Sequence, residues 1–443
     1  MFKSLMASRR FAPLFWCQFC SALNDNFLKN ALVMLILFGL GGAGGIGEGG
    51  AVLVTLAGIV FIAPFFILSA LGGDLADRYD KGLVATRIKL VEIPIAGLAA
   101  IGFYLHSVPI LFVTLGLFGI IAALFGPVKY GLLPEKLQTS ELPAGNALVE
   151  GATFLAILIG TIAGGIAVAE AQSPELVAGV ILVLAVGSWL FARSIPAAGP
   201  SAPGLVVASN PWTATIALLR ELRGDQRLWG GAHVVSWFWV VGSVALALLP
   251  ALVRDVVGGS EGVVTLCLTV FVAGIAAGSI LAAKQSHGTP NLTLVPRGAG
   301  MIGVASLALA AVAMTATAAV PAIGPLALAG TVTGMALLVS LFALAMAGGL
   351  YIVPAFASVQ VWSPADRRAR VIAGVNVMNA AYMVVGGALV AALQAAGLGV
   401  GTLFAILGLL TFAFMATVLR AWFASIAQVR ETAPAPAAVE NVA

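Results

Sequence analysis

The chain has 443 residues, 61% of them hydrophobic and only 9% charged, with a formal net charge of +4. Soluble domains carry about 25% charged residues, so this balance excludes a water-soluble enzyme or a nucleic-acid-binding module and fits a chain that crosses a membrane many times. The three cysteines, Cys17, Cys20 and Cys267, fall in apolar runs; the CxxC spacing of the first two has no companion ligands, which makes packing residues of them rather than a metal or redox site.

Apolar runs between turn signals predict twelve spans, near residues 11–40, 51–71, 83–105, 108–126, 143–169, 175–193, 229–252, 262–283, 296–320, 323–352, 370–396 and 399–424. The first follows the N-terminus with no cleavage-site pattern and is read as a retained span rather than a leader. It contains SALNDNFLKN, Ser21 to Asn30. At about 100° per residue, Gln18, Ser21, Asp25 and Lys29 share one stripe of a helix that is otherwise apolar. A charge at that depth costs at least about 2.5 kcal/mol and marks a functional site by default, although Asp25 and Lys29, four residues apart, also suit a self-satisfied pair. Glu92, beside Pro94 in the third span, leaves the same two readings open.

The glycine cluster Gly39 to Gly50, the Pro109 corner and the Gly397 to Gly401 corner make short connections on one side, and longer charged loops lie on the other. The cluster lacks the Lys-Ser/Thr that a phosphate loop needs. A Pro, Ser and Gly-rich stretch from Pro196 to Pro211, then TIALLRELRGDQRL, reads as a linker ending in an amphipathic interfacial helix. The expected organisation is an all-α membrane protein, twelve transmembrane helices in two six-helix pseudo-symmetric bundles: 1–195, a cytoplasmic linker over 196–228, a second bundle over 229–425, and a tail over 426–443 with no apolar periodicity. The basic residues, Lys89 and Lys129 among them, fall on one side of this arrangement, except for Arg254 opposite and Lys29 inside. Both termini are then cytoplasmic.

The loop GGDLADRYDKG, Gly72 to Gly82, resembles the cytoplasmic signature of the major facilitator superfamily through Gly73, Asp77, Arg78 and Lys81. A glycine lets two helices approach, and an aspartate can face a helix N-terminus and pair with a cation in one conformation only, which makes a gate latch. The matching loop of the second half, SILAAKQSHGTP, keeps little of the pattern. A second constellation runs from Gly126 to Gly165, with Asn146, Glu150, Thr153, Gly160 and Gly164 on one helical face and Lys129 capping the fourth span. Its counterpart, Gly348 to Gly387, carries Asn376, Asn379, Met383 and Gly387 on one side. Pro134 and Pro354 interrupt the two stretches at matching places, so the halves read as repeats.

SALNDNFLKNALV, PVKYGLLPEKL and GNALVEGAT are similar to the lysophospholipid transporter family within that superfamily. The resemblance implies transport of lysophospholipids across a bacterial inner membrane for reacylation, with Asp25, Asn26, Lys129, Tyr130, Asn146 and Glu150 in the headgroup cavity and its gates. Span seven departs from it, offering His233, Trp237, Phe238 and Trp239 where other members can place an arginine; such aromatics more often pack or anchor. RELRGDQRLWGGAHVVSWFWVVG looks like the transporter portion of longer fused proteins, so an acyltransferase or acyl-carrier-protein ligase encoded nearby is the implied partner, beside the lipid substrate and the membrane lipids.

A lysophosphatidylethanolamine needs a cation for its phosphate, a carboxylate for its ammonium and an apolar slot. Lys29 or Lys129 suits the first and Asp25 or Glu150 the second, with Asn376 added from the second half. The expected activity is secondary transport by alternating access. No covalent chemistry is expected, since His106, His233 and His287 are isolated and no His-x-x-x-x-Asp motif occurs. No cofactor is expected, and a coupling ion, Na+ or H+, stays open. Two alternatives are an exporter of another amphiphile or drug, driven by protons through Asp25 or Glu150, and a non-transporting platform for a separate acyltransferase.

Overall fold

Long apolar segments with no water to satisfy their backbone must close their hydrogen bonds internally. The computed structural model, which describes residues 2–38, 50–169 and 173–432, is accordingly built of helices. A short α1 (Phe2–Ala7) precedes α2 (Ala12–Phe38), α3 (Gly50–Arg78), α4 (Lys81–Tyr104), α5 (Val108–Lys136), α6 (Leu142–Ala169) and α7 (Pro174–Arg193). After the linker helix α8 (Pro211–Gly224) come α9 (Gln226–Ala251), α10 (Glu261–Gln285), α11 (Leu294–Thr315), the single turn α12 (Pro325–Ala329), α13 (Val332–Trp362), α14 (Arg368–Ala395), α15 (Val400–Phe414) and α16 (Arg420–Thr432). A π-helical segment, Met415–Leu419, joins α15 to α16.

Among the described residues, ten helices are long and apolar enough to cross a membrane. Two more of similar length, α2 and α4, fall short in composition because they carry the run NDNFLKN and the group Arg87, Lys89 and Glu92. Both exceptions bring charge into the bundle. The chain is a multi-pass membrane protein.

In the first half α2 packs on α6 and α7, and α3 and α4 on α5; in the second, α13 packs on α10 and α11, and α14 on α9. The halves meet where α3 runs along α14 and α6 along α10. Glycine sets these approaches: a Cβ at Gly164 would strike the Phe27 carbonyl of α2, and one at Gly278 the Met346 carbonyl of α13.

Several boundaries differ from those expected. Pro134 and Pro354 do not interrupt their helices: α5 continues through Pro127 and Pro134 to Lys136, and α13 through Pro354 to Trp362. Membrane helices tolerate proline where packed neighbours re-satisfy the freed carbonyl. Lys129 therefore lies seven residues, about 10 Å, inside the end of α5 rather than capping it. The start of the tenth span divides into α12 and α13 at Gly330 and Thr331. Helix α16 continues to Thr432, into the segment assigned to the tail. The corner at residues 39–49 and the tail from residue 433 lie outside the described residues.

The linker is tied to the turn between α3 and α4. Ala198 and Gly199 N–H both donate to Asp80 Oδ2 at 2.7 Å, and Lys81 Nζ donates to Ser201 Oγ at 2.6 Å. Burial alone would lift the Asp80 carboxyl, but the N–H groups of Ala198, Leu83 and Gly199 outweigh it and leave it below the usual carboxylate range. This anchorage is therefore present at neutral pH and lost as pH falls through the Asp80 titration. Helix α8 buries Thr215, Leu218 and Leu222 beneath the junction and exposes Trp212 and Ile216 together with Arg220 and Arg223.

Candidate functional site

The polar stripe of α2 faces the first half's interior. Gln18 donates to Thr153 of α6 at 3.1 Å, and Ser21 accepts from Lys89 of α4 at 2.6 Å. Lys89 also pairs with Glu92 at 2.6 Å, both side chains being 0% exposed, and its ammonium lies 4.4 Å from the centre of the Phe125 ring. Lys89 was placed at the cytoplasmic surface by sequence; instead it sits eight residues into α4, about 12 Å along the axis. Glu92 one turn further on, and the Phe125 face, make that depth tolerable. The i,i+3 spacing of the pair was the available signal.

Lys89→Ala would strand Glu92 in the interior at a cost of roughly 3–5 kcal/mol, whereas the neutral double replacement Lys89→Met/Glu92→Gln removes both charges together. Thermal melts in detergent are expected to show a large loss of stability for the single variant and recovery of most of it in the double.

Asp25 is half-buried and, among the described residues, has no hydrogen-bonding or ion-pairing side chain. Glu92, Lys89, Lys129 and Lys29 all act on it electrostatically. Lys129 is likewise half-buried, its ammonium 4.6 Å from the centre of the Tyr130 ring and within the field of Glu150 and Asp25. Among the described residues Lys29 hydrogen-bonds to Asn26 Oδ1 alone, at 3.4 Å. So Asp25, Lys29 and Lys129 come together as charges without close partners, backed by the closed Lys89–Glu92 pair. Asn26 joins them through Lys29, from which its Oδ1 accepts, while its amide N–H returns to the Ala22 carbonyl at 2.8 Å and its Cβ abuts Gly160.

Tyr130, Asn146, Glu150 and Asn376 form a second group, where the halves touch. Tyr130 OH donates to Glu150 Oε1 at 2.8 Å, and its ring meets Phe356 of α13 edge-on at 4.5 Å. Asn146 Nδ2 donates to Gln360 Oε1 at 2.6 Å, and Gln360 Nε2 to the Tyr130 carbonyl at 3.2 Å. Asn376 lies against Gly126, where a Cβ would sit 2.7 Å from its amide nitrogen. Gln360 carried no signal in the sequence, because a lone glutamine in an apolar run points nowhere until its partners are known.

The signature loop lies one layer further toward the basic end. Asp77 accepts from the Ala369 and Arg370 N–H groups, both at 3.1 Å, in the first turn of α14, where unsatisfied donors and the helix dipole favour an anion. Arg370 Nε and Lys81 Nζ each lie 3.5 Å from the Asp77 carboxylate, and Lys81 also pairs with Glu135 at 2.5 Å. Gly73 lets the two helices touch, since a Cβ there would lie 3.0 Å from Arg370 Cα. Arg78 stays on its own side, over the Tyr79 ring at 5.4 Å. Sequence reasoning did not anticipate Glu221 of α8, which pairs with Arg367 at 3.0 Å and Arg370 at 3.5 Å and so adds the linker helix to the closure.

The halves are thus bound at the basic end. From Ala381 to Ala395 no residue of α14 is buried. On the flank, Phe154 of α6 stacks on Trp239 of α9 at 6.3 Å. Between α9, α14 and α15 runs an apolar groove of about 360 Å³, lined by Trp237, Val240, Tyr382, Val385, Leu389 and Leu407. Beside it, His233 Nδ1 and Tyr382 OH share a 2.6 Å hydrogen bond.

The sequence model of the Major Facilitator Superfamily matches residues 14–336. A lysophospholipid transporter of Serratia proteamaculans is 31% identical over 288 residues, 63% of this chain and 67% of the relative. One of Pectobacterium carotovorum is 32% identical over 228 residues, 51% of this chain and 54% of the relative. The matched region thus spans about half to two thirds of these relatives. Among solved structures, a human organic anion transporter superposes with a TM-score of 0.70 at 17% identity, covering 94% of this chain and 99% of that one. A bacterial homologue of the iron transporter ferroportin, in an outward-facing state, gives 0.68 at 16% identity, covering 95% and 99%. At those identities the likeness is one of fold.

Proposed function

We propose, for a chain that belongs to the major facilitator superfamily as a lysophospholipid-transporter-like member, that its cargo is a lysophospholipid, moved from the outer to the inner leaflet of a bacterial inner membrane. The chain is a transporter and not an enzyme. With the basic end in the cytoplasm, as the positive-inside rule favours, the described state is closed to the cytoplasm, and both termini are cytoplasmic.

One observation carries the reading: Asp25 stands in the interior with no partner of its own, with Lys129 and Lys29 in its field. Unpaired charges in a low-dielectric interior are costly, and a zwitterion supplies what they lack. Asp25 receives the ammonium of the headgroup, and Lys129 and Lys29 the phosphate. The single acyl chain leaves sideways into apolar surface such as the groove beside Trp237 and Tyr382. Glu150, bonded to Tyr130 and 2% exposed, is closed to a headgroup in this state. An acyltransferase that traps the product would give the movement direction.

The test is labelled lysophosphatidylethanolamine supplied to spheroplasts, with its conversion to diacyl lipid followed over time. Lys129→Met is expected to slow conversion about tenfold or more by removing a charge-assisted contact to phosphate. A normal rate in that variant would contradict the headgroup assignment, and drug efflux without lipid movement would favour the exporter.

A further inference from the structure

Two buried oxygens on α6 lack any donor among the described residues: Asn146 Oδ1 and Glu150 Oε2, on side chains 0% and 2% exposed. Residues four apart on a helix are neighbours on its surface. A buried acceptor without a donor costs about 1–3 kcal/mol, so two side by side call for an explanation. A single hydrogen between them satisfies both, and only the carboxyl group can carry it, since an amide oxygen accepts and cannot donate.

We infer that Glu150 is a proton-binding site, and that its protonation completes a hydrogen-bonded ring that holds the two halves together at the basic end. The other links of the ring are in place. Tyr130 OH donates to Glu150 Oε1, Asn146 Nδ2 donates to Gln360 Oε1, and Gln360 Nε2 donates to the Tyr130 carbonyl. The carboxyl O–H, donating to Asn146 Oδ1, closes the circuit through α5, α6 and α13. Without the proton the circuit is open, and both oxygens, one of them on a charged group, are left without a donor in the interior.

The groups that act on Glu150 are Tyr130, which bonds to it, and Lys129, which does so from beyond ion-pairing distance; both belong to α5. Lys129 is in turn attracted by Asp25 of α2 and repelled by Lys89 of α4. The α13 side of the contact contributes Gln360 and Phe356, neither of which titrates. No cation therefore neutralises the carboxylate directly, and the proton does so. Closure at the basic end is accordingly the acid form of the protein.

This rests on the reading that the halves rock, and a test that needs no lipid keeps the two separable. Spin labels at Thr139 and Ala365, exposed positions on the basic end of opposite halves, report the gap by pulsed dipolar spectroscopy in nanodiscs, in a background with the three cysteines replaced. In the wild type the ratio of short to long distances is expected to fall roughly tenfold from pH 5.5 to pH 8.5, the loss of one buried hydrogen bond. In Glu150→Gln the amide N–H stands in for the carboxyl proton, and the short distance is expected at both pH values. Asn146→Leu, with no acceptor for the proton, is expected to show the longer distance at both. A wild-type distribution that ignores pH, or a wild-type response surviving in either variant, overturns the inference. Lost lipid movement with the pH response intact would count against the substrate and leave the proton site standing.

Discussion

Asp25→Asn is expected to lower lysophosphatidylethanolamine delivery by about tenfold to a hundredfold while leaving the thermal stability of the protein within about 1 kcal/mol of wild type. A hydrogen bond to a charged group contributes about 1.5–3 kcal/mol, and each 1.36 kcal/mol is tenfold in rate. The small effect on stability follows from the surroundings. Asp25 has no donor to strand among the described residues, and the fully buried cation that acts on it, Lys89, is already held by Glu92 and Ser21. If Asp25 instead served only to neutralise Lys29 on their common helix, the pattern would invert: stability would fall and delivery would follow protein yield. Melting curves and initial rates on one preparation separate the two. The contrast with Lys89→Ala is part of the expectation, because the same interior holds one pair built for stability and one set of charges left open.

Asp77→Ala is expected to have the second large effect, on the conformational equilibrium. One carboxylate accepts from two backbone N–H groups at the start of α14 and lies 3.5 Å from Arg370 and Lys81. Removing a cap of this kind costs about 0.5–2 kcal/mol, and the freed N–H groups are left in a packed interface. The Thr139–Ala365 distance distribution is expected to shift toward the open basic end by about tenfold or more at fixed pH. Glu221→Gln, which weakens only the ion pairs from α8 to Arg367 and Arg370, is expected to shift it in the same direction by less than threefold, because those groups are part-exposed and screened. Equal effects of the two replacements would mean that the linker helix, and not the α3–α14 contact, holds the seal.

How much of this was legible in the sequence depended on the range of the interaction. The membrane class and most helices follow from apolar run length, which is a local property. Asp25 stood out because a carboxylate in a span is expensive whatever surrounds it, and Asp77 because the glycine four residues earlier travels with it. Lys89 misled because it lies near a cytoplasmic loop in sequence, and the hydropathy of α4 cannot tell a charge at a helix end from one eight residues in. Pro134 and Pro354 misled in the opposite sense, as helix breakers in water whose cost the packed interior absorbs. Gln360, Arg370 and Glu221 acquire meaning only through partners more than 140 residues away. Asn146 and Glu150 were found on one face, but that face turned out to meet the other half of the molecule.

The most direct measurement uses purified protein in proteoliposomes with no acyltransferase present. Fluorescent lysophosphatidylethanolamine is added outside, and the fraction that albumin can no longer extract is followed in time. The expected result is rapid protection with the wild type, reduced about tenfold or more by Asp25→Asn and again by Lys129→Met, against a control lipid with a neutral headgroup that none of the proteins moves. Protection no faster than in protein-free vesicles, or equally fast with all three proteins, would contradict the claim that the open charges of the interior carry a charged lipid across.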